Sequence, residues 1–376
     1  MLSTLRTQVG VILAAGAILA PSTQAAWSLR TSPNPSAATT SQLRGVDCRS
    51  TTACLAAAQT STVGAFSETW GGTSWLLWMV TPPPASPSNF QDVSCPPATS
   101  TCFLVGSAAG AGMARATNLS TWSSLTVPTV AGAVSLELTG IACTSGTACI
   151  AVGWYQTAGG STLPYAIRCT GTTCTQDRVT LPAGTQGSLE DVFCLSSTNC
   201  SAVGWSHAPA GARRTFVVAW NGVAWSSQVS ANGTNAQSST LFGVACASTA
   251  CVAVGRYTDT SAVQHTLALG KSGSTWVDLV SPDPSGTLPT FEGIACPSAT
   301  ACYAVGSYAN GSGRATLVES YVTGVWTVLS TPNPAGSTDN HLADVACVTT
   351  PSTVCRAVGY SVDTVGTTRT LVEDGP

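Results

Sequence analysis

The sequence predicts an all-β fold: a seven-bladed β-propeller, with blades of four antiparallel strands and a ring closed by the N-terminal strand. Three observations predict it. One motif, a pair of cysteines five to eight residues apart followed by a small apolar run, occurs seven times. Its first cysteines, at 48, 95, 143, 194, 246, 296 and 347, recur every 47 to 52 residues, a period that belongs to propellers and solenoids. The two ends of the chain look like complementary pieces of one unit.

In chain order, residues 1–25 read as a secretory signal peptide. Arg6 supplies a positive start, residues 9–20 an apolar core, and Thr23-Gln24-Ala25 a small-residue cleavage site. No second apolar run of spanning length follows, so a secreted, extracellular protein without membrane insertion is expected. Residues 26–376 then form a single propeller domain.

Inside each unit four strands can be counted. Strand A ends at the first cysteine, as in LTGIAC (138–143), and strand B starts at the second, as in CIAVG (149–153). A variable loop leads to strand C, as in TFVVAW (215–220) or TLVE (316–319). A Gly-containing turn then leads to strand D, as in WTVL (326–329), which runs into TPNP (331–334). Short strands with tight turns and no helical periodicity describe a propeller blade. The apolar runs of A and B suit burial on both faces, and the Ala-Val-Gly suggests small residues where blades approach. The last unit stops after strand C, at TLVEDGP (370–376), while WSLRTSPNP (27–35) is a strand D with no blade before it. The N-terminal strand should therefore complete the seventh blade; an open seven-repeat solenoid, the alternative, does not need this complementarity.

Sixteen cysteines outside the leader fit an oxidising compartment. They fall into close pairs: Cys48 and Cys54, Cys95 and Cys102, Cys143 and Cys149, Cys169 and Cys174, Cys194 and Cys200, Cys246 and Cys251, Cys296 and Cys302, Cys347 and Cys355. One pair per repeat argues that each closes on itself, stapling the A–B hairpin. A loop this small gains about 2 kcal/mol by the chain-entropy estimate. Zinc is disfavoured, since no Cys-x2-Cys occurs and the chain has three histidines; no metal or other cofactor is expected. Cys169 and Cys174 flank a four-residue C–D turn, where other units have Trp70/Trp75, Trp220/Trp225 and Tyr321/Trp326. Four intervening residues can set the flanking side chains opposite each other, so a covalent pair replaces an aromatic one there. A redox role for this pair lacks a Cys-x-x-Cys.

Charged residues make up 8% of the chain and the net charge is −3, with one lysine, Lys271. That leaves no basic face for nucleic acid. Hydrophobic residues at 44% and eleven tryptophans argue against disorder.

These repeats, Cys-x(4–7)-Cys-x-Ala-Val-Gly followed by strand C, a Trp-flanked Gly turn and Ser/Thr-Pro-Asn-Pro, resemble secreted actinobacterial-type repeat proteins along the whole mature chain. The resemblance implies a propeller and carries no defined activity. The Gly-x-x-Trp turns at Trp75, Trp225 and Trp276 are also similar to the Asp-box of sialidase-like propellers, but Trp70 and Trp220 stand where the box has its Asp, so sialidase chemistry is not implied.

In such a blade the A–B and C–D turns share one face and the B–C and D–A connections the other. The first set repeats; the second differs in every unit and is the expected binding face. Its candidate ligand-binding residues are Trp154, Tyr155, Trp205, His207, Arg256, Tyr257, Tyr308 and Tyr360, aromatics beside polar groups that suit sugar stacking or a protein surface. Packing at a strand end is the competing role for each. Four residues before each first cysteine stand Arg44, Gln91, Thr139, Glu190, Phe242, Glu292 and Ala343. Glu190 and Glu292 are the best-matched carboxylate pair for acid–base work. The next position alternates glycine with Asp92, Asp191 and Asp344, which are expected to bond neighbouring backbone. No Gly-x-Ser-x-Gly, His-Glu-x-x-His or phosphate loop is present. The sequence thus points to an extracellular, monomeric binding or structural propeller that recognises a glycan or surface protein. The alternative is a polysaccharide-active lyase or glycosidase using Glu190 and Glu292.

Overall fold

The computed structural model describes residues 26–36, 38–60, 66–79, 89–107, 111–117, 121–181, 185–208 and 211–376. The leader assigned to residues 1–25 lies outside them. Every regular element among the described residues is a strand, and no helix there is long and apolar enough to cross a membrane.

A short strand, β1 (Ser28–Arg30), opens the described chain. Strands β2–β5 (Ser41–Ser50, Ala53–Thr60, Phe66–Trp70, Trp75–Met79) then pair antiparallel in order as a first sheet. The second is β6–β9 (Asn89–Ser94, Thr101–Ser107, Ala111–Thr117, Thr121–Leu125). The third is β10–β13 (Ala133–Ser145, Ala148–Thr157, Thr162–Thr170, Thr173–Asp177). The fourth is β14–β17 (Gln186–Ser196, Asn199–His207, Arg214–Trp220, Trp225–Ser230). The fifth is β18–β21 (Ala236–Ala247, Ala250–Asp259, Gln264–Ser272, Thr275–Leu279). The sixth is β22–β25 (Thr287–Ser298, Ala301–Asn310, Gly313–Val322, Val325–Leu329). The last, β26–β28 (Ser337–Val348, Val354–Asp363, Thr368–Gly375), takes β1 as its outer strand, with Ser28, Leu29 and Arg30 opposite Asp374, Glu373 and Val372. This arrangement is an all-β propeller.

The core lies between sheets rather than inside one. Leu55 and Ala57 of the first sheet pack with Phe90, Val93 and Leu104 of the second; Val203 and Val217 of the fourth pack with Leu241 and Leu269 of the fifth. Val358 and Val372 of the last sheet pack with Leu43 and Phe66 of the first. A strand with a neighbour on both faces must be apolar on both. That is why β3, β11 and β19 read as unbroken Ala/Val/Leu/Ile runs with buried residues in succession, not as a period of two.

Each cysteine pair forms a local disulfide, and no free cysteine remains. The seventh pair, in the sixth sheet, joins Cys296 to Cys302, position 301 being alanine. Seven of the bonds staple the first two strands of a sheet. The eighth, Cys169–Cys174, sits across the β12–β13 hairpin, where Trp70 and Trp75, Trp220 and Trp225, and Tyr321 and Trp326 face each other elsewhere with ring centres 5.2–5.8 Å apart. Peptide mapping without reduction should recover eight intra-repeat linkages; a bond from Cys48 to Cys102 would defeat the local arrangement.

The Pro-Asn-Pro corner has a mechanical role that sequence reading did not foresee. Thr215, Thr266 and Thr316, near the start of each third strand, donate their backbone N–H to Asn232, Asp283 and Asn333 at 2.9, 3.0 and 3.1 Å. Their hydroxyls meet Ser230, Ser281 and Thr331 at 2.8, 3.1 and 2.9 Å. In the last sheet Thr370 makes the same two bonds to Asn34 (3.0 Å) and Ser32 (2.7 Å), residues from the other end of the chain.

Candidate functional site

The first strand of every sheet is broken by a β-bulge at the same place. Register skips Arg44, Gln91, Thr139, Glu190, Phe242, Glu292 and Ala343, the residues four before each first cysteine. A bulge leaves its extra residue unpaired and re-aims its side chain. All seven line one central cavity, and none repeats its neighbour's chemistry in sequence around it.

The bulge also explains the glycine of Ala-Val-Gly. A β-carbon on Gly106, Gly153, Gly204, Gly255, Gly306 or Gly359 would lie 1.9–2.1 Å from the carbonyl oxygen six residues before the first cysteine of the same sheet. The close approach is thus within a sheet, at its bulge, and not between blades as the sequence suggested. Ala58 occupies this place in the first sheet.

One residue beyond the bulge, the sheets carry Gly45, Asp92, Gly140, Asp191, Gly243, Gly293 and Asp344. Asp92 accepts the N–H of Val93 and, from the next sheet, of Ile141, both at 2.7 Å. Asp191 does the same with Val192 (2.6 Å) and Val244 (2.8 Å), and Asp344 accepts from Val46 of the first sheet (2.8 Å). Each aspartate needs a glycine in the sheet before it: a β-carbon on Gly45, Gly140 or Gly293 would lie 2.7–2.8 Å from the Cα of Asp92, Asp191 or Asp344. Two aspartate sheets cannot be neighbours. The alternation is broken once, where the fifth and sixth sheets both carry glycine. Burial pushes the Asp191 and Asp344 carboxyls up, to about 7 and about 8, despite the backbone N–H groups that oppose the shift. With their oxygens engaged by backbone, these aspartates serve the scaffold.

Above the bulges the cavity opens on the side of the B–C and D–A connections, with a volume of ≈ 500 Å³. Besides the bulge residues it is lined by Glu137, Trp154, His341, Leu342 and Tyr360. Arg44 donates to Gln42 at 2.7 Å and lies 5.8 Å above the Tyr360 ring, whose other contact is a stacked His341 at 4.6 Å. Glu137 accepts from Gln91 at 2.8 Å. Glu190 accepts from the Trp205 indole at 2.9 Å, and Glu292 from Thr290 at 3.2 Å. Burial raises both carboxyls above the usual range; nearby Arg213 pulls Glu190 back down, and Arg256, Arg44 and Arg314 pull on Glu292. Below the bulges the cavity continues for ≈ 630 Å³ down to the first cysteines.

The structure brings both glutamates to one cavity, with Phe242 of the intervening sheet between them. Of the eight aromatic and polar candidates, Trp154 and Tyr360 line it. The others are engaged in packing. Trp205 is buried, with the Arg213 guanidinium 4.0 Å from its ring centre and His207 stacked at 5.5 Å. Arg256 lies 5.3 Å over the Phe242 ring. Tyr257 stacks on His265 at 4.8 Å and covers Gly233; Tyr308 covers Gly286; Tyr155 meets Tyr165 edge-on at 6.4 Å. Each of these rings has a cation, an imidazole, another ring or a loop against it, as the packing role weighed for it requires. Glu137 and His341 were missed. Their signal was the position six before the first cysteine, polar in every unit: Gln42, Asn89, Glu137, Ser188, Thr240, Thr290 and His341.

No protein-family model and no curated protein matches this chain. Solved structures do. YCF48 from Cyanidioschyzon merolae is 14% identical over 93% of this chain and 98% of its own, with a TM-score of 0.52. A structure of YCF48 bound to D1 peptide gives the same identity and TM-score over 95% and 99%. The RRP9 WD40 repeats are 9% identical over 94% and 99%, with a TM-score of 0.57. At these identities the likeness shows the fold alone, a β-propeller.

Proposed function

We propose that residues 26–376 form one closed ring of seven blades, exported behind the leader in residues 1–25, that binds a surface protein through the mouth of its central cavity. The eight disulfides support an oxidising, extracellular setting, and the repeat pattern supports membership among secreted Cys-paired repeat propellers. One observation carries the binding reading. Seven bulges aim side chains of six different kinds at a single mouth, no two neighbours alike, while the scaffold beneath repeats from sheet to sheet. Charge, hydrogen-bonding groups and few free ring faces favour a protein segment over a stacked sugar, and YCF48, of the same fold, has been solved with a peptide bound. A glycan stays as the other arm of the test.

The measurement is binding of purified protein to peptide and glycan arrays, followed by titration of any hit. Glu137→Gln with Trp154→Ala should weaken binding at least tenfold while moving the melting temperature little. Trp225→Ala, which empties a buried place on the opposite hairpins, should lower stability and spare affinity, since removing a buried Trp costs about 3–5 kcal/mol. Equal loss of affinity from both variants would reject the mouth as the site.

An enzyme acting on polysaccharide is the second reading, favoured by two carboxyls of raised proton affinity in one cavity. Glu190→Gln and Glu292→Gln should then each abolish turnover of a glycan hit and retain binding. A glycan bound but never cleaved by the wild-type protein disposes of this reading.

A further inference from the structure

The seat of β1 is built to recognise a strand, and nothing covalent ties the strand to it. β1 pairs over three residues, whereas β5, β9, β13, β17, β21 and β25 pair with their inner neighbours over four or five. All eight disulfides lie within single sheets and none involves β1. What holds the segment is side-chain fit. Trp27 is buried edge-on against Tyr303 at 6.3 Å and lies over Gly375, where a β-carbon would come within 2.6 Å of its ring. Arg30 pairs with Asp374 at 2.8 Å, Ser32 donates to Glu68 at 2.7 Å, and Asn34 accepts the Thr370 N–H at 3.0 Å.

These contacts read a motif. The chain contains it again in register: residues 326–334, WTVLSTPNP, match residues 27–35, WSLRTSPNP, at the tryptophan and at the hydroxyl-Pro-Asn-Pro corner. An empty seat would leave fully buried Glu68 without Ser32 and Asp374 without Arg30, so it favours any strand of this type. The connection out of the seat, residues 31–40, holds two prolines, and stiff hinges of this kind promote exchange of an element between copies.

We propose that the seat accepts residues 27–35 of a second copy of this chain, so that two molecules complete each other's last sheet. The local disulfides do not oppose this, because each stays intact when β1 leaves. The short tether supplies its own strand at an effective concentration on the order of millimolar. Self-closure therefore prevails in dilute solution, and exchange grows as the protein concentration approaches that value.

The test unfolds the oxidised full-length chain in urea and refolds it at ~1 μM and at several hundred μM, reading mass by size exclusion with light scattering. Monomer is expected at the low concentration and a dimer fraction at least tenfold larger at the high one. A synthetic peptide of residues 26–36, added in excess during refolding, should suppress the dimer and be retained by the monomer. The same peptide with Trp27→Ala and Asn34→Ala should do neither. If the chain does not refold from urea, holding a concentrated mixture of isotopically light and heavy protein a few degrees below its midpoint gives the same readout as mixed dimers by native mass spectrometry. Monomer at every concentration, or dimers indifferent to the peptide, would overturn the proposal.

Discussion

Deleting residues 1–35 should lower the melting temperature of the entire protein in one cooperative step, not fray one edge. The segment fills the outer place of the last sheet, so its loss exposes β28 along the seam that joins that sheet to the first. The cost has identifiable parts. Removing Trp27 empties a site beside Tyr303 and Gly375, and loss of a buried Trp costs about 3–5 kcal/mol. Glu68 loses the Ser32 hydroxyl, and the Thr370 N–H loses Asn34. Asp374 loses Arg30 and keeps Arg356, which itself lies 4.6 Å over the Trp70 ring of the first sheet. Damage at β1 therefore reaches both sheets at the seam. A total of about 5 kcal/mol, against an unfolding entropy of ~0.7 kcal/mol per degree for a chain of this length, corresponds to a fall of about 7 °C. Calorimetry of the oxidised truncated protein checks it. A melting temperature equal to that of the full chain would mean that the segment is dispensable and the fold stands without it.

Much of this seam was legible in the sequence because repetition makes omission visible. TLVEDGP at one end and WSLRTSPNP at the other are halves of a pattern printed intact elsewhere, and their pairing follows from the pattern alone. The disulfides were legible for the same reason. The bulge was not. It depends on a register skip that the residues at the skip do not encode, since Arg44, Phe242 and Ala343 have no common chemistry. Its trace lay in the partner strand, in glycines whose need is set by a carbonyl across the hairpin. Which aromatics are covered was not legible, because ring type and loop position say nothing about what covers a ring. Arg213 over Trp205 and Gly233 under Tyr257 come from other strands and loops, brought in by the closure of a sheet.

Stability should be greatest in mildly acidic solution and decline as pH rises through about 8. The third strands of the first, sixth and last sheets carry Glu68, Glu319 and Glu373, all fully buried at the junctions with neighbouring sheets. Glu68 accepts from Ser32 at 2.7 Å and Glu319 from Ser281 at 2.8 Å, hydroxyls contributed by the preceding sheet, and Glu373 lies beside Thr316 of the sixth sheet. Burial raises each carboxyl to about 8, the hydroxyls of Ser32, Ser281 and Thr316 opposing it in part. The folded chain therefore holds these protons more tightly than the unfolded chain, where a glutamate titrates near 4.3. Their stabilising contribution is complete below that unfolded value and is lost as pH climbs through about 8. The raised carboxyls of Asp47, Asp191 and Asp344 act in the same direction, as does His265, whose proton Asp283 and Asp259 help to hold. His341, depressed by its burial, acts in the opposite one. A tenfold change in proton affinity is worth about 1.4 kcal/mol per group, so even that much at each glutamate totals about 4 kcal/mol. On this chain that is a fall of about 5 °C between pH 5.5 and pH 9. The triple variant Glu68→Gln, Glu319→Gln, Glu373→Gln keeps the shape and removes the charge, so its melting temperature should change by half as much or less over the same interval. A wild-type protein as stable at pH 9 as at pH 5.5, or a triple variant that follows the wild-type curve, would show that these carboxyls titrate as if in water and do not govern the junctions between sheets.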